Sequence, residues 1–289
     1  MYYLMAAPAI ILIAIIFLYP VFYTIWCGFC KYSLLSAINT AKWIGLKNFS
    51  ALLSDATFLQ VIWNTIVYTI VSVPMEVFLG LICSLLLDRS FRGRGFVRAL
   101  WLLPFMFTPV VVAYQWRWLF NDQSGLINYL LMNLGIISEK LAWLSDIKLA
   151  MVSVIVTDIW YTTPFVTLLF LGGLQSLPIE PLESAEVDGA SGWQKFWYIT
   201  LPLLRPVMLV IVLLKTMDAM KAFDLIYIMT YGGPGLKTEM IMTYAYKVGF
   251  ITFKIGQSSA ISVFSLLLML VASGVIFLLF REKSTITYY

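Results

Sequence analysis

One apolar stretch of the sequence contains four charged residues of alternating sign, spaced three apart: Lys215, Asp218, Lys221 and Asp224. Residues three or four apart lie on one face of a helix, so neighbouring members of this series can form ion pairs. The same ammonium and carboxylate groups can also hydrogen-bond a polar ligand. The series therefore predicts either mutually neutralised structural pairs or the wall of a polar cavity.

Two other apolar stretches contain carboxylates, Glu76 and Asp158, and Trp160 and Tyr161 follow the second of these closely. Charged side chains are costly in lipid, so each is a candidate functional group. The alternative for Asp158 is that it braces neighbouring helices. Most Trp and Tyr residues of membrane proteins anchor the chain at the interface, which is the alternative for the aromatic candidates Tyr114, Trp116, Trp160, Tyr161 and Tyr227.

The elements that must position these residues are membrane-spanning helices. Of the 289 residues, 61% are hydrophobic, 12% are charged and none is histidine. A spanning helix needs about 20 apolar residues. Six stretches meet this length, at about residues 3–29, 61–87, 97–120, 149–171, 206–230 and 258–280. We expect one transmembrane domain over residues 1–289, an uncleaved first helix, and kinks at Pro104 and Pro109.

The orientation of the spans follows from arginine density. Lys and Arg are divided equally between the two sets of loops, but Arg89, Arg92, Arg94 and Arg98 are concentrated in one short loop. Such a cluster favours the cytoplasmic side. We therefore expect this loop, the loop after the fourth span and both termini to be cytoplasmic. Membrane topology explains the basic residues, and no nucleic-acid partner is implied.

The sequence lacks the residues that several kinds of chemistry require. The sequence contains no phosphate-binding loop of the Walker type and no histidine, so we expect neither ATPase activity of its own nor a histidine-based metal site or triad. Cys27 and Cys30 have the spacing of a redox dithiol. They lack the βαβ context of such a site and are interpreted as packing residues. We expect no catalytic residues, no metal and no cofactor bound by this chain.

Two segments between the spans have local signals. "GLKNFSALLSD" has Leu46, Phe49, Leu52 and Leu53 at helical spacing, which predicts an amphipathic helix that either caps the bundle or docks a partner. "TYGGPGLKTE" predicts a turn-rich loop after the fifth span.

The segment from about 176 to 206 is compact, charged and helix-forming. Ser176 can cap a short helix, Pro178 and Pro181 suit its first turn with Glu180 and Glu183 nearby, and Gly189 suits its end. A second short helix would place Trp193, Phe196 and Trp197 on one face, against the ends of the spanning helices. Pro202 and Pro206 would end this helix and lead into the fifth span. The prediction is a helix-turn-helix hairpin on the membrane surface; the alternative is a plain connecting loop.

This hairpin resembles the signature of permease subunits of binding-protein-dependent ATP-binding-cassette importers. The pattern is E-A-A, three residues, G, nine residues, I-x-L-P, and it is matched by Glu183, Ser184, Ala185, Gly189, Ile199, Leu201 and Pro202. Ser184 replaces the usual alanine. "DIWYTTPF", "AFDLIYIMTYGGPG" and "GQSSAISV" extend the resemblance over nearly the whole chain. Together they resemble the carbohydrate-uptake branch, of the type of the first maltose permease subunit.

The resemblance implies an all-α membrane protein with six transmembrane helices and a cytoplasmic coupling hairpin between the fourth and fifth. Eight residues of the hairpin would couple the permease to an ATPase: Glu183, Ser184, Ala185, Asp188, Gly189, Ile199, Leu201 and Pro202. The expected partners are a second homologous permease, two ATPases that bind ATP and Mg, an extracytoplasmic solute-binding protein, a sugar and the bilayer of the bacterial inner membrane.

By the same resemblance the fifth span lines the translocation path. The substrate would be an oligosaccharide that passes by alternating access without chemical change. Lys215 and Lys221 would suit an acidic sugar such as a uronate oligomer of the alginate type, although Asp218 and Asp224 can cancel them.

Two alternatives from other classes stay open on the residues alone. The carboxylates within the spans also fit a secondary transporter driven by an ion gradient, which would require inverted repeats and broken helices. They fit less well a membrane-embedded enzyme in which Asp158, Asp218 and Asp224 are catalytic.

Overall fold

The computed structural model describes Pro8, residues 11–35 and residues 41–281. The predicted first span therefore lies partly outside the described residues, as do the last eight residues of the chain.

Most of the described chain is helical. A π-helical turn, Ala14–Leu18, leads into α1, and two further π-helical segments are Phe196–Thr200 and Lys247–Ile251. The α-helices are α1 (Tyr19–Gly28), α2 (Lys47–Leu53), α3 (Ala56–Asp88), α4 (Arg94–Met106), α5 (Pro109–Leu119), α6 (Leu126–Asn133), α7 (Leu149–Gln175), α8 (Glu180–Val187), α9 (Gly192–Lys195), α10 (Leu201–Leu203), α11 (Arg205–Met220), α12 (Asp224–Met229), α13 (Ile241–Tyr246) and α14 (Ile255–Phe280). Two short strands, β1 (Cys30–Lys31) and β2 (Lys42–Trp43), form an antiparallel pair.

The helices confirm the predicted all-α membrane architecture. Within the described residues, four continuous helices are long and apolar enough to span a bilayer: Ile11–Gly28, Ala56–Asp88, Leu149–Gln175 and Ile255–Phe280. Two bent pairs, Arg94–Met106 with Pro109–Leu119 and Gly192–Leu203 with Arg205–Met229, raise the number of spans to six when each pair counts as one. The four continuous helices lie where the sequence predicts spans one, two, four and six.

The third span bends by 90° between α4 and α5. Pro104 lies in the last turn of α4 and Pro109 is the first residue of α5, so the predicted kink is confirmed at the predicted prolines. The backbone at the bend is stabilised from α7, because the hydroxyl of Tyr161 donates a hydrogen bond to the carbonyl of Phe107 over 3.1 Å. The indole of Trp101 also donates to Thr167 Oγ1 on α7, at 3.1 Å.

The fifth span is not the continuous helix that the sequence predicts from residue 206 to 230. Within that range α11 ends at Met220 and α12 begins only at Asp224, and the 63° bend near Leu204 lies before the predicted start of the span. Irregular backbone at membrane depth is tolerated where it is buried in protein or lines a polar cavity. The interruption at residues 221–223 therefore marks an internal site, and it coincides with the charged series.

The packed core joins the second, fourth and fifth spans. Tyr68, Val154 and Ile226 are fully buried in one cluster. Gly80 of α3 lies so close to α7 that a methyl group there would stand 2.5 Å from Val166 Cγ1. This close approach requires glycine and holds α3 against α7, which places Glu76 and Asp158 in the same interior region.

The amphipathic segment after the first span forms α2 and caps the bundle. The amide of Asn48 donates hydrogen bonds to the carbonyls of Gly28 and Cys30 at 2.8 and 2.9 Å, and Phe49 packs against Phe264 of α14. Cys27 and Cys30 are both buried free thiols in this region.

Candidate functional site

A cavity of about 450 Å³ lies where α3, α7, the α4–α5 bend and the interrupted fifth span meet. Six of the eight residues predicted for a substrate path line it: Asp158, Tyr161, Lys215, Asp218, Lys221 and Asp224. Tyr68, Thr162 and the aromatic rings of Phe105, Phe165 and Phe223 complete much of the wall. Charged groups and aromatic faces are thus combined in one internal space.

Lys215 is paired with the second span, not with its neighbour in the charged series. Its Nζ lies 3.1 Å from Glu76 Oε2, and the two side chains are only 5% and 0% exposed. Asp158 lines the same cavity as Lys215. The two oxygens of Glu76 accept no well-oriented hydrogen bond from the described residues, so the contact is an ion pair by distance alone. Glu76 does not line the cavity but lies directly behind Lys215.

Asp218 and Lys221 form the ion pair that the helical spacing predicts. Lys221 Nζ lies 3.2 Å from Asp218 Oδ1, and both side chains are more than half exposed. Lys221 follows the last residue of α11 and Asp224 begins α12, so both lie at the interruption of the span. The helix break turns these polar groups toward the cavity. A continuous helix would instead distribute them around its surface.

The remaining aromatic candidates lie elsewhere. Trp160 packs edge-on against Trp116, with ring centroids 5.3 Å apart, and does not line the cavity. Tyr114 and Tyr227 line a second cavity of about 730 Å³ between α5 and α12. Tyr68 is a cavity residue that the sequence analysis missed, because a tyrosine inside an apolar run has no local signal of its position.

The sequence between the fourth and fifth spans forms the predicted hairpin. Its first helix, α8, begins at Glu180, not at Ser176, whose hydroxyl instead donates to the carbonyl of Gly173 at the end of α7. Gly189 adopts φ +79° and ends the turn, and the amide of Ala190 donates to the carbonyl of Ala185 over 2.8 Å. This left-handed conformation favours glycine.

The second half of the hairpin is fastened to the first. Ser191 caps α9 through a reciprocal capping box with Gln194, and Lys195 Nζ lies 3.0 Å from Glu186 Oε2 on α8. The helical path then continues through a π-helical segment to Leu203, so Pro202 does not end it. The bridge between Glu186 and Lys195 has no local signal in the sequence, because it forms only once Gly189 reverses the chain.

The aromatic residues of the predicted stripe pack against one another. Trp193, Phe196 and Trp197 have ring centroids 5.4 to 6.3 Å apart, and Phe196 is half-buried whereas Trp197 is exposed. Trp193 is 71% exposed. The rings form an apolar surface cluster that is available for contact with another protein.

The signature residues are displayed on this surface. Glu183, Ser184, Asp188, Gly189 and Pro202 are exposed, while Ala185, Ile199 and Leu201 are half-buried. Among the described residues, no ion pair involves Glu183. No group of three or more Cys, Asp or Glu residues within the described ranges could hold a metal ion.

Comparison with known proteins identifies relatives over nearly the whole chain. Residues 49–284 match the family model of the binding-protein-dependent transport system inner membrane component. The chain is 36% identical to the trehalose/maltose transport system permease protein MalF of Thermococcus litoralis, over 93% of this chain and 89% of that protein. It is 34% identical to the sulfoquinovosyl glycerol transport system permease protein SmoG of Agrobacterium fabrum, over 97% of this chain and 90% of that one.

A solved structure has the same fold. A crystal structure of a bacterial ABC transporter involved in the import of the acidic polysaccharide alginate contains a chain that matches with a TM-score of 0.81. The match covers 98% of this chain and 96% of that chain at 24% identity, which establishes the likeness of fold alone. The family match, the curated relatives and the exposed hairpin agree with the resemblance read from the signature. The chain belongs to the family of binding-protein-dependent transport system inner membrane components, the permeases of ABC transporters.

Proposed function

We propose that this chain is one permease half of an ATP-driven importer of neutral sugars, and that its hairpin passes the movements of an ATPase to the membrane helices. The observation that carries the proposal is the hairpin itself. It displays Glu183, Ser184 and Gly189 on an exposed surface within a chain of the permease family.

The hairpin has the properties of a docking element. Gly189 leaves open space where a side chain would stand, so a partner's backbone can approach closely. The exposed carboxylate of Glu183 can pair with a basic group of that partner. Val187, the last residue of α8, is 89% exposed, and Trp193 and Trp197 are exposed on the second half of the hairpin. A charged contact surrounded by apolar surface suits a specific protein interface.

The assembly we propose contains a second homologous permease, two ATPases and an extracytoplasmic solute-binding protein. ATP and Mg would bind to the ATPases, and this chain would bind neither. The chain would lie in the bacterial inner membrane with the hairpin and both termini in the cytoplasm, as the arginine cluster favours. Arg98, one of the four, also donates a hydrogen bond to the carbonyl of Leu87 at the end of α3.

The cavity at the interrupted fifth span is the proposed substrate path. Its aromatic rings offer flat apolar faces, and its charged and hydroxyl groups offer hydrogen bonds to sugar hydroxyls. Relatives alone do not decide the charge of the substrate, since one is named for trehalose and maltose and another for sulfoquinovosyl glycerol. The cavity favours a neutral sugar over the uronate oligomer because of the charges of its own side chains.

The carboxylates in and directly behind the cavity outnumber the ammonium groups. Asp158, Asp218, Asp224 and Glu76 stand against Lys215 and Lys221. Both lysines already have a carboxylate partner. An acidic sugar would meet an excess of like charge, whereas neutral hydroxyls can donate to Asp158 and Asp224.

Purification from the native membrane in mild detergent tests the assembly. We expect a second permease and two copies of an ATPase to accompany the chain in stoichiometric amounts. The purified assembly is then reconstituted with its binding protein, and ATP hydrolysis is measured with trehalose, maltose and an alginate-derived oligouronate. Stimulation by a neutral sugar is expected. A chain that purifies alone and still drives uptake contradicts the importer, and stimulation by the oligouronate alone contradicts the neutral substrate.

A further inference from the structure

The cavity of about 730 Å³ lies where the end of α5 meets the end of α12, and it is bordered by Tyr114, Arg117, Asp122 and residues 227–231. It adjoins the connections that follow the third and fifth spans, whereas the coupling hairpin follows the fourth. The parity of the spans therefore places it at the membrane face opposite the hairpin. This outer cavity is distinct from the inner cavity of about 450 Å³ at the interrupted fifth span.

A ladder of three aromatic rings joins the two cavities. Phe223 lines the inner cavity and stacks on Tyr227, with ring centroids 5.0 Å apart. Tyr227 lines the outer cavity and packs on Tyr231, which also lines it, with centroids 4.8 Å apart. Phe223 and Tyr227 are half-buried and Tyr231 is exposed. Ring contacts therefore lead from one cavity into the other, and each ring keeps some accessible surface.

The ladder is held in place from the side. Tyr246 of α13 packs edge-on against both Phe223 and Tyr227, with centroids 5.3 Å apart in each case. Lys247 Nζ lies 4.2 Å from the ring centroid of Tyr231 and donates a hydrogen bond to its carbonyl over 2.7 Å. A ligand that stacks on rings already fixed loses less free energy to their ordering.

The polar part of the outer cavity is also fixed. Arg117 Nη1 donates a hydrogen bond to the carbonyl of Ile228 over 3.0 Å, which ties α5 to α12. Asn121 Oδ1 accepts hydrogen bonds from the backbone amides of Gln123 and Ser124 at 3.0 and 2.9 Å, which shapes the turn after α5. The two walls of the cavity are thus held by hydrogen bonds within the chain.

The outer cavity contains one positive and one negative side chain that do not pair. Arg117 and Asp122 both line it, and within the described ranges no ion pair involves either. The guanidinium offers only donors and the carboxylate only acceptors, so together they can bond hydroxyl groups in both directions. Their formal charges cancel, which suits a neutral ligand rich in hydroxyls.

We propose that the outer cavity is a second sugar-binding site, so that the transported sugar is a neutral oligosaccharide held in both cavities at once along the aromatic ladder. This inference rests on the proposed function. A pyranose ring packs its apolar face of C–H groups on an aromatic ring, while its hydroxyls reach polar groups at the rim. Pro109 of α5 lines the inner cavity, and Arg117 of the outer cavity lies eight residues further, about 12 Å along the helix. A chain of several sugar units is needed to occupy both.

Calorimetric titration of the purified assembly, without its binding protein, tests the proposal. The probes are maltose and maltotetraose, with cellobiose and cellotetraose as the pair of the other linkage. We expect the tetrasaccharide of at least one pair to bind about tenfold more tightly than its disaccharide, because it stacks on further rings. Tyr227→Leu should weaken that tetrasaccharide about fivefold and change the disaccharide little, since the inner cavity keeps its walls.

Two control variants and a second test variant accompany this measurement. Phe250→Leu removes an exposed ring that packs on Tyr246 but lines neither cavity, so it should leave both affinities unchanged. Asp122→Asn should weaken the tetrasaccharide alone, by about tenfold, through the loss of a charged acceptor. Glu139→Gln, exposed and outside both cavities, is its matched control.

The outcomes separate this inference from the proposed function. Equal affinity for the two lengths in both pairs, or an equal loss for both lengths in Tyr227→Leu and Asp122→Asn, overturns the second site and leaves the importer of neutral sugars standing. If no neutral sugar stimulates ATP hydrolysis by the unaltered assembly, the proposed function fails and the second site fails with it. Loss of the second permease from the Tyr227→Leu assembly would assign this ring to an interface between permeases, and so would also overturn the sugar site.

Discussion

Lys215 of the fifth span lies 3.1 Å from Glu76 of the second, and neither side chain is more than 5% exposed. This ion pair joins the two helices across the wall of the proposed substrate path. Lys215 is therefore not a free cation that awaits an anionic ligand. Its charge is already balanced from behind the cavity, and the groups left for a ligand are mainly carboxylates.

The pair should be strongly coupled in stability. Glu76→Met leaves a buried ammonium without its partner, and such a loss costs roughly 3 to 5 kcal/mol. Lys215→Met leaves a buried carboxylate and should cost a similar amount. The double variant should recover most of the loss, because an apolar pair of similar volume carries no buried charge. Thermal unfolding of the four proteins in one detergent measures this cycle.

The exposed ion pair of Asp218 and Lys221 is the control for this cycle of stability measurements. Removing either partner there should change stability by less than about 1 kcal/mol, since exposed ion pairs contribute little. Additive losses for Glu76 and Lys215, with no recovery in the double variant, would contradict the coupling.

Glu183→Lys should abolish coupled transport while the protein still reaches the membrane. The substitution reverses the charge of an exposed carboxylate in the signature, and a basic group of the partner would then be repelled. Sugar-stimulated ATP hydrolysis and uptake in reconstituted vesicles measure the effect, and we expect a loss of at least tenfold.

Glu180→Lys is the matched control, because Glu180 is also exposed in the first turn of α8 but lies outside the signature. It should retain most of the activity. Normal transport by Glu183→Lys, or an equal loss in both variants, would count against a specific contact at Glu183.

Gly189→Ala should weaken the hairpin through the backbone. Gly189 has φ +79° with open space around it, so a methyl group meets no neighbour but the conformation costs about 1 to 2 kcal/mol. Gly192→Ala in α9 adds the same methyl group, also in open space, without a positive φ. We expect lower uptake and faster proteolysis of the hairpin for the first variant and near-normal behaviour for the second. Equal behaviour of the two variants would mean that the turn conformation is unimportant.

Asp224→Asn should lower the apparent affinity for the transported sugar. A hydrogen bond to a charged acceptor is worth roughly 1.5 to 3 kcal/mol, so replacing the carboxylate with an amide should raise the half-saturating sugar concentration by about 10-fold or more. Asp158→Asn should act in the same direction. Uptake rates over a range of sugar concentrations give the value, and Glu139→Gln, exposed and outside the cavity, is the control. Unchanged half-saturation in both aspartate variants would remove these groups from the substrate path.

Much of this protein is determined by local sequence. Apolar stretches of about 20 residues define the spans, because length and hydropathy alone decide what crosses a bilayer. The prolines at 104 and 109 locate the bend of the third span, and Gly189 locates the turn of the hairpin. The spacing from Glu183 to Pro202 predicts the family that the comparisons confirm. The contacts proposed for these residues remain predictions.

Other features depend on which helices become neighbours. Periodicity along one helix allows Lys215 to pair with Asp218, but the packing of α3 against α11 brings Glu76 to it instead. The helix break at residues 221–223 likewise has no proline or glycine to signal it. A cavity between several helices permits irregular backbone there. The sequence by itself determined the spans, the hairpin and the family, since these follow from local composition and spacing; only the tertiary structure decided the charge partners and the cavity, since those arise from contacts between residues far apart in the chain.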